Sequence, residues 1–245
     1  MPMRLRGRNK YKMYLALKQN KYIKSALPYT MMWSEKNFVR MLRRYKSVVI
    51  KPNNGQQGQK IYFVKKVGAK YAVNINQKHK VFNNRKRAIN YLNRVTSKRK
   101  FIIQQQVDLA RIDGKRFDFR IIVQRKKRNH PWVVNGVIVR RAGKGYMVTN
   151  RRRHGVVMSV EEARKKLNFN EKEIRKVAYL AAKTLGRSFP NQKIFGVDIG
   201  MNKNGSLYIF ELNRWPLLEG FRSLKNKSQI KRILSYKKMA RKSRN

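Results

Sequence analysis

The sequence predicts an α+β fold in which antiparallel strands alternate with short helices. Three features carry this reading. Apolar runs of strand type, such as SVVIKP, KIYFVKK and FDFRIIVQ, are bounded by turn residues. Asn204-Gly205 is the strongest short hairpin signal, because both residues tolerate the positive φ of a type I′ turn. Helix-start signatures recur at Ser34, at Ser159 with Glu162, and at Asn170 with Glu173. With 245 residues and 41% hydrophobic content, the chain can bury the core of one large or two small globular domains.

Taken in order, residues 10 to 20 and 34 to 45 read as helices, the second capped by Ser34. SVVIKP, KIYFVKK and YAVNIN read as strands, RKRAINYLNRVT as a helix, and FIIQQQV, FDFRIIVQ and WVVNGVIVRR as strands again. A last long helix opens at Asn170. Its Ile174, Val177, Ala178, Ala181 and Leu185 make one apolar stripe that should end near Gly186.

Charge is the second constraint. Sixty-two Lys and Arg face only eleven Asp and Glu, for a net charge of +51. Such a charge attracts polyanions, which leaves nucleic acid, an acidic protein and an acidic polymer open, so the expected partners are an acidic substrate, whether peptide, protein or polymer, and nonspecifically bound nucleic acid. Cysteine is absent, which excludes disulfides and thiolate chemistry. The three His, at 79, 130 and 154, lack metal-ligand spacing. No run is apolar enough to span a bilayer and no signal-peptide core opens the chain, so a cytoplasmic protein with no membrane partner is expected.

Scarcity makes each acid informative. Glu161, Glu162, Glu171 and Glu173 sit in first helical turns, where the helix dipole favours carboxylates. Asp108, Asp113, Asp118, Asp198, Glu211 and Glu219 have no such local reason. If Asn204-Gly205 is the turn, Asp198 faces Glu211 with Cβ atoms roughly 5 Å apart, and Asn213 shares the face of Glu211. Facing carboxylates repel, so the arrangement makes sense mainly with a cation between them, and Mg²⁺ suits the oxygen donors. The alternative is a solvated hairpin whose outer face carries these residues.

Lys51-Pro52 ends a strand and runs into Asn53-Asn54-Gly55-Gln56-Gln57-Gly58. Glycines let backbone N–H groups approach an anion, so this loop is either a phosphate nest or only a turn. It is not a P-loop, because the required spacing fails and strands flank it on both sides. In FDFRIIVQ, Asp118 and Arg120 share one face and Phe117, Phe119, Ile121 and Val123 the other. Asp118 and Arg120 form either a simple ion pair or a phosphate-gripping arginine held by its carboxylate. Arg140 admits the same two readings.

The ordered set of the Lys51-Pro52 strand, Gly-rich loop, Gln104-Gln105-Gln106-Val107, Asp118-x-Arg120, Arg140, Thr149-Asn150, Asp198 and Glu211-x-Asn213 resembles the ATP-grasp superfamily. In LPYT, KPNNG, GKRFDFRIIVQ, VTN and GVDIG, residues 28 to 225 resemble the endospore coat-associated YheC/YheD-type proteins. ELNRWPLLEGF is also similar to the glutamate ligase that modifies a ribosomal protein.

The resemblance implies an ATP-grasp fold of two α+β lobes with nucleotide between antiparallel sheets. It implies a basic N-terminal helical segment over 1–27, an ATP-grasp domain over 28–225 with lobes of about 45–105 and 106–225, and a basic tail over 226–245. It implies ATP and Mg²⁺ as cofactors, spore association, and ligation of a carboxylate to an amine, with glutamyl addition as the specific guess. A kinase, or a binding protein that keeps the fold without turnover, are the alternatives. Lys10 and Lys51 would contact phosphate, and Gly55 and Gly58 would lie in the loop over it. Gln104, Gln105 and Val107 would belong to the adenine hinge. Asp118 would support Arg120, which with Arg140 and Asn150 would surround the reacting phosphoryl group. Asp198, Glu211 and Asn213 would hold the metal.

Overall fold

The computed structural model describes residues 4–55, 59–147, 149 and 155–242, so Gly58 and Asn150 lie outside the described residues. The chain divides into two compact units. The smaller comprises residues 7–14 and 28–107, and the larger comprises residues up to Arg6, residues 15–27 and everything from Asp108 onward. The segment before residue 28 is thus shared by the two units.

The smaller unit is built on six strands, β1 (Thr30–Met32), β2 (Ser47–Pro52), β3 (Tyr62–Val67), β4 (Lys70–Ile75), β5 (Lys78–Phe82) and β6 (Phe101–Gln105). Every pairing is antiparallel, in the order β1-β6-β2-β3-β4-β5. Helices α2 (Glu35–Tyr45) and α3 (Arg85–Thr96) cover one face, where Phe38, Met41, Ala88 and Leu92 bury against Val48, Ile50, Val64 and Val73. Ser34 caps α2 by accepting from the Asn37 N–H, as its sequence position predicts. Strand β5 carries exposed Lys78, His79 and Lys80, so it shows no apolar alternation and escapes the sequence reading. Lysine on an edge strand blocks unwanted pairing.

In the larger unit, β7 (Arg111–Ile112), β8 (Lys115–Gln124), β9 (Val133–Arg141), β10 (Val156–Met158), β11 (Ile194–Met201) and β12 (Leu207–Asn213) form a sheet ordered β10-β9-β8-β11-β12, with β7 against β8. Helix α5 (Glu171–Ser188) packs on β8, β9 and β11 with the predicted stripe fully buried. It does not stop at Gly186: a Cβ there would lie 2.8 Å from the Trp132 ring, so the glycine serves helix packing rather than termination. Ser159 and Glu162 form the complete reciprocal capping box at α4 (Val160–Arg164), whereas Asn170 accepts from the Glu173 N–H at the start of α5.

On the opposite face, α6 (Glu219–Ser223) and α7 (Ser228–Lys242) cover part of the sheet. Phe221, Leu224, Ile230 and Ile233 bury there against Ile122 and Ile138. Residues read as a basic tail therefore include a docked helix, because its isoleucines supply an apolar stripe that the many lysines mask in the composition. No described helix is long and apolar enough to cross a membrane.

The β11–β12 hairpin turns differently from the sequence expectation. Gly205 adopts φ +80° and donates to the Asn202 carbonyl at 3.1 Å, and the Asn202 N–H donates to Ser206 O at 3.0 Å. That is a longer loop with one left-handed residue rather than a type I′ pair. A register shift between Asp198 and Ile199 compensates, and Asp198 still pairs with Glu211.

Candidate active site

Cross-strand register assembles one polar grid on the face of the larger sheet opposite α5. Asp118 pairs with Arg140 across β8 and β9, Arg120 with Asp198 across β8 and β11, and Asp198 with Glu211 across β11 and β12. Gly196 pairs with Asn213, two residues further along each strand. Because side chains alternate along a strand, Asp118, Arg120, Arg140, Asp198, Glu211 and Asn213 share this face.

The ion pairs run across strands. Arg140 donates to Asp118 through Nε at 2.8 Å and Nη2 at 2.7 Å, and its Nη2 lies 3.2 Å from Asp198. Arg120 donates to both oxygens of Asp198, through Nε and, at 3.0 Å, through Nη2. Asp118 therefore supports Arg140 rather than Arg120, which corrects the same-strand reading. Directly opposed residues come within about 5 Å, closer than neighbours two apart on one strand. Thr149 completes the Asp118 shell by donating from Oγ1 to Oδ2 at 2.6 Å.

This network also corrects the argument from bare repulsion between Asp198 and Glu211. Two guanidiniums already balance Asp198. Burial pushes the Asp198 pKa up, yet Arg120 and Arg140 outweigh it and hold the carboxyl below its usual range. Burial likewise lowers the Arg140 pKa, and Asp118 with Asp198 more than reverses that, keeping the guanidinium charged. Other unexplained acids have plain structural partners, Asp108 with Lys203 at 3.5 Å and Asp113 with Lys166 at 2.9 Å.

No group of three or more His, Cys, Asp or Glu suited to a metal occurs among the described residues. The candidate set instead offers two facing carboxylates, Asp198 and Glu211, and the Asn213 amide on the same face. This all-oxygen donor set fits a hard divalent cation that keeps part of its own water shell and takes phosphate oxygens.

The smaller unit carries the other candidates. On the sheet face away from α2 and α3, buried Lys51 donates from Nζ to Gln104 Oε1 at 2.9 Å, and Gln104 donates from Nε2 to Thr30 Oγ1 at 2.8 Å. The buried amide thus fixes the ammonium in place. Helix α1 (Lys10–Lys18) begins against the Gly-rich loop, where Lys10 N–H donates to Asn53 O at 3.0 Å and Lys10 Nζ to Gly55 O at 2.5 Å. Lys10, Lys51 and Gly55 are therefore gathered at one end of β2. Along the candidate hinge segment, Gln105 N–H donates to Tyr29 O at 2.8 Å and Gln106 N–H to Ser47 O at 3.3 Å, and Val107 is buried.

Two supports escaped the sequence reading. Gly196 leaves room for Pro216, whose Cβ would lie 2.6 Å from an added Cβ. Arg214 is sandwiched between the rings of Phe189 and Trp215, 4.2 and 4.4 Å from their centroids, and donates to Gln192 at 3.1 Å. Together they fold the segment after β12 back beside Asn213. Neither leaves a periodic signal, since both depend on residues distant in sequence.

Comparison with known proteins agrees with this architecture. The chain is 28% identical over 185 residues to the endospore coat-associated protein YheD of Bacillus subtilis (strain 168), covering 70% of this chain and 40% of that protein. It thus spans well under half of that relative. The D-cycloserine synthetase DcsG superposes with a TM-score of 0.61 at 12% identity, covering 95% of this chain and 70% of DcsG. The ATP-grasp ligase PsnB, solved with a phosphomimetic variant of its minimal precursor, Mg and ADP, gives 0.54 at 13% identity, covering 95% of this chain and 58% of PsnB. At such identities the likeness shows the fold. A family description, YheC/D-like ATP-grasp, matches residues 4–239, nearly the whole chain and all of the polar grid. The chain therefore belongs to the YheC/D-like ATP-grasp family.

Proposed function

We propose that the chain is a Mg-ATP-dependent ligase that joins a carboxylate to an amine through an acylphosphate. The observation that carries this reading is the polar grid, where two arginines and two facing carboxylates converge on one sheet face. Arg120 and Arg140 would meet the charge that builds on the transferred phosphoryl group, and Asp118 and Thr149 fix Arg140 in the geometry to do so. Lys51, Lys10 and the Gly55 loop would take phosphate oxygens, and the segment from Gln104 to Val107 would take adenine. A magnesium ion held by Asp198, Glu211 and Asn213 would neutralise phosphate charge and align it for in-line transfer.

In the reaction, a carboxylate oxygen attacks the γ-phosphorus and ADP leaves, giving an acylphosphate. An amine then attacks the acyl carbon, inorganic phosphate departs, and the amine loses a proton as the amide forms. Positioning and charge neutralisation supply most of the acceleration. A net charge of +51 supports an acidic acceptor, and glutamyl addition to a protein or peptide is the specific form proposed.

An ADP-release assay with pools of amino acids and acidic peptides, followed by mass spectrometry, tests the reading. A mass gain of one amino-acid residue supports ligation. A gain of one phosphate makes the protein a kinase, and no ADP release in any pool overturns the enzymatic reading.

A further inference from the structure

Three segments far apart in sequence meet at one end of the larger sheet. The Gln124 side chain donates to the Ile233 carbonyl at 3.1 Å, Lys126 lies over the Tyr236 ring at 5.6 Å, and Lys193 donates to the Ala240 carbonyl at 2.6 Å. Helix α7 therefore runs alongside the β8–β9 loop and the start of β11. Residues 125–131, 189–194 and 225–242 contain no Asp or Glu at all. In a chain whose acids are mostly drawn into ion pairs and helix starts, this end of the unit is left wholly cationic.

The face is also rigid. Arg125 spends its guanidinium on the carbonyls of Gln192, Pro190 and Arg128 and on the Trp132 ring, which fixes the loop that presents Lys127 and Arg128. Gln229 accepts from the Val137 N–H at 2.6 Å, and Ile230 and Ile233 on the inner side of α7 bury against Ile122 and Ile138 of the sheet. Lys231, Arg232 and Lys238 are left pointing outward, the first and last about 10 Å apart along the axis at 1.5 Å rise per residue.

We propose that this acid-free face, made by α7 with the β8–β9 loop, docks the phosphate backbone of a nucleic acid. Lysine and arginine both bind phosphate, and exposed Lys127, Arg128, Lys231, Arg232 and Lys238, with no carboxylate in the segments that carry them, complement a polyanionic backbone in charge. Tyr236 is half-buried beneath Lys126 rather than offered for base stacking, so the face reads backbone and not sequence. The proposal rests on charge and geometry and does not require the ligase reading.

Fluorescence anisotropy of the full chain with a labelled duplex oligonucleotide, titrated across salt, tests it. The variant K231Q/R232Q/K238Q should bind about tenfold or more weakly, and its plot of log K against log salt should be shallower by about 2 to 3, since each neutralised phosphate adds roughly 0.9 to the slope. The variant K65Q/K66Q/K70Q removes the same charge from the other unit and should keep the wild-type slope. K127Q/R128Q on the loop gives a second reading should the helix variant not fold. Equal weakening in the Lys65 and Lys231 variants overturns the proposal in favour of bulk charge. Polyglutamate that competes as well as unlabelled duplex overturns it in favour of an acidic polypeptide, and scrambled duplexes should bind alike.

Discussion

Asp198 lies directly across the sheet from Arg120, and its two carboxylate oxygens take both donors that the guanidinium extends towards it. Both side chains are 12% exposed, so the pair is formed largely out of water, with Arg140 as a second cation. Removing one partner of such a pair leaves a buried charge without compensation. Asp198→Asn should therefore cost about 3 kcal/mol in urea unfolding. A variant as stable as the parent would show the pair to be a surface contact.

The same pair sets an acid limit on stability. The folded-state pKa of Asp198 lies below that of an unfolded aspartate, about 3.9, so its contribution is complete above that pH and is lost as pH falls through the folded value. The unfolding midpoint should fall below about pH 4, less steeply in Asp198→Asn than in the parent. Asp113, lowered by its Lys166 hydrogen bond, adds the same sign of dependence in both proteins. Identical acid profiles would remove Asp198 from this role.

Glu211→Gln and Glu161→Gln each remove one negative charge with little change of shape. Loss of Glu211 should reduce ATP consumption beyond the roughly 100-fold expected for a mere support of a metal ligand, with circular dichroism unchanged. Glu161 stands in the first turn of α4, so its loss should cost about 0.3 to 1 kcal/mol and leave turnover intact. Full activity in Glu211→Gln would leave the hairpin as ordinary structure.

ATP should bind more tightly with Mg²⁺ than in EDTA, since in the proposed site a cation held by Asp198, Glu211 and Asn213 would neutralise the charge of the triphosphate. Calorimetry in both buffers measures the difference. Equal affinity would take the metal out of the proposed site.

Gly186→Ala separates helix propensity from packing. In an exposed helix the change gains about 1 kcal/mol, but here the new Cβ would press on Trp132 at 2.8 Å. Overpacking should make the variant less stable by about 1 to 3 kcal/mol. A rise in melting temperature would mean that the Trp132 ring moves aside freely.

Elements whose signals are local could be read from the chain before any fold was known. Alternation in FDFRIIVQ, the caps at Ser34 and Ser159, and the stripe of α5 each depend on neighbours a few residues apart, and each stands in the structure. Even the Asp198–Glu211 register was legible, although a longer turn and a compensating shift produce it rather than the expected type I′ pair. Which arginine each aspartate holds was settled by folding alone, because Asp118 chooses Arg140 across β9 over Arg120 on its own strand. Folding likewise placed Gly186 inside a helix and docked α7 on the sheet. Those outcomes turn on pairs of residues many positions apart, and pairing across strands brings side chains closer than spacing along one strand can.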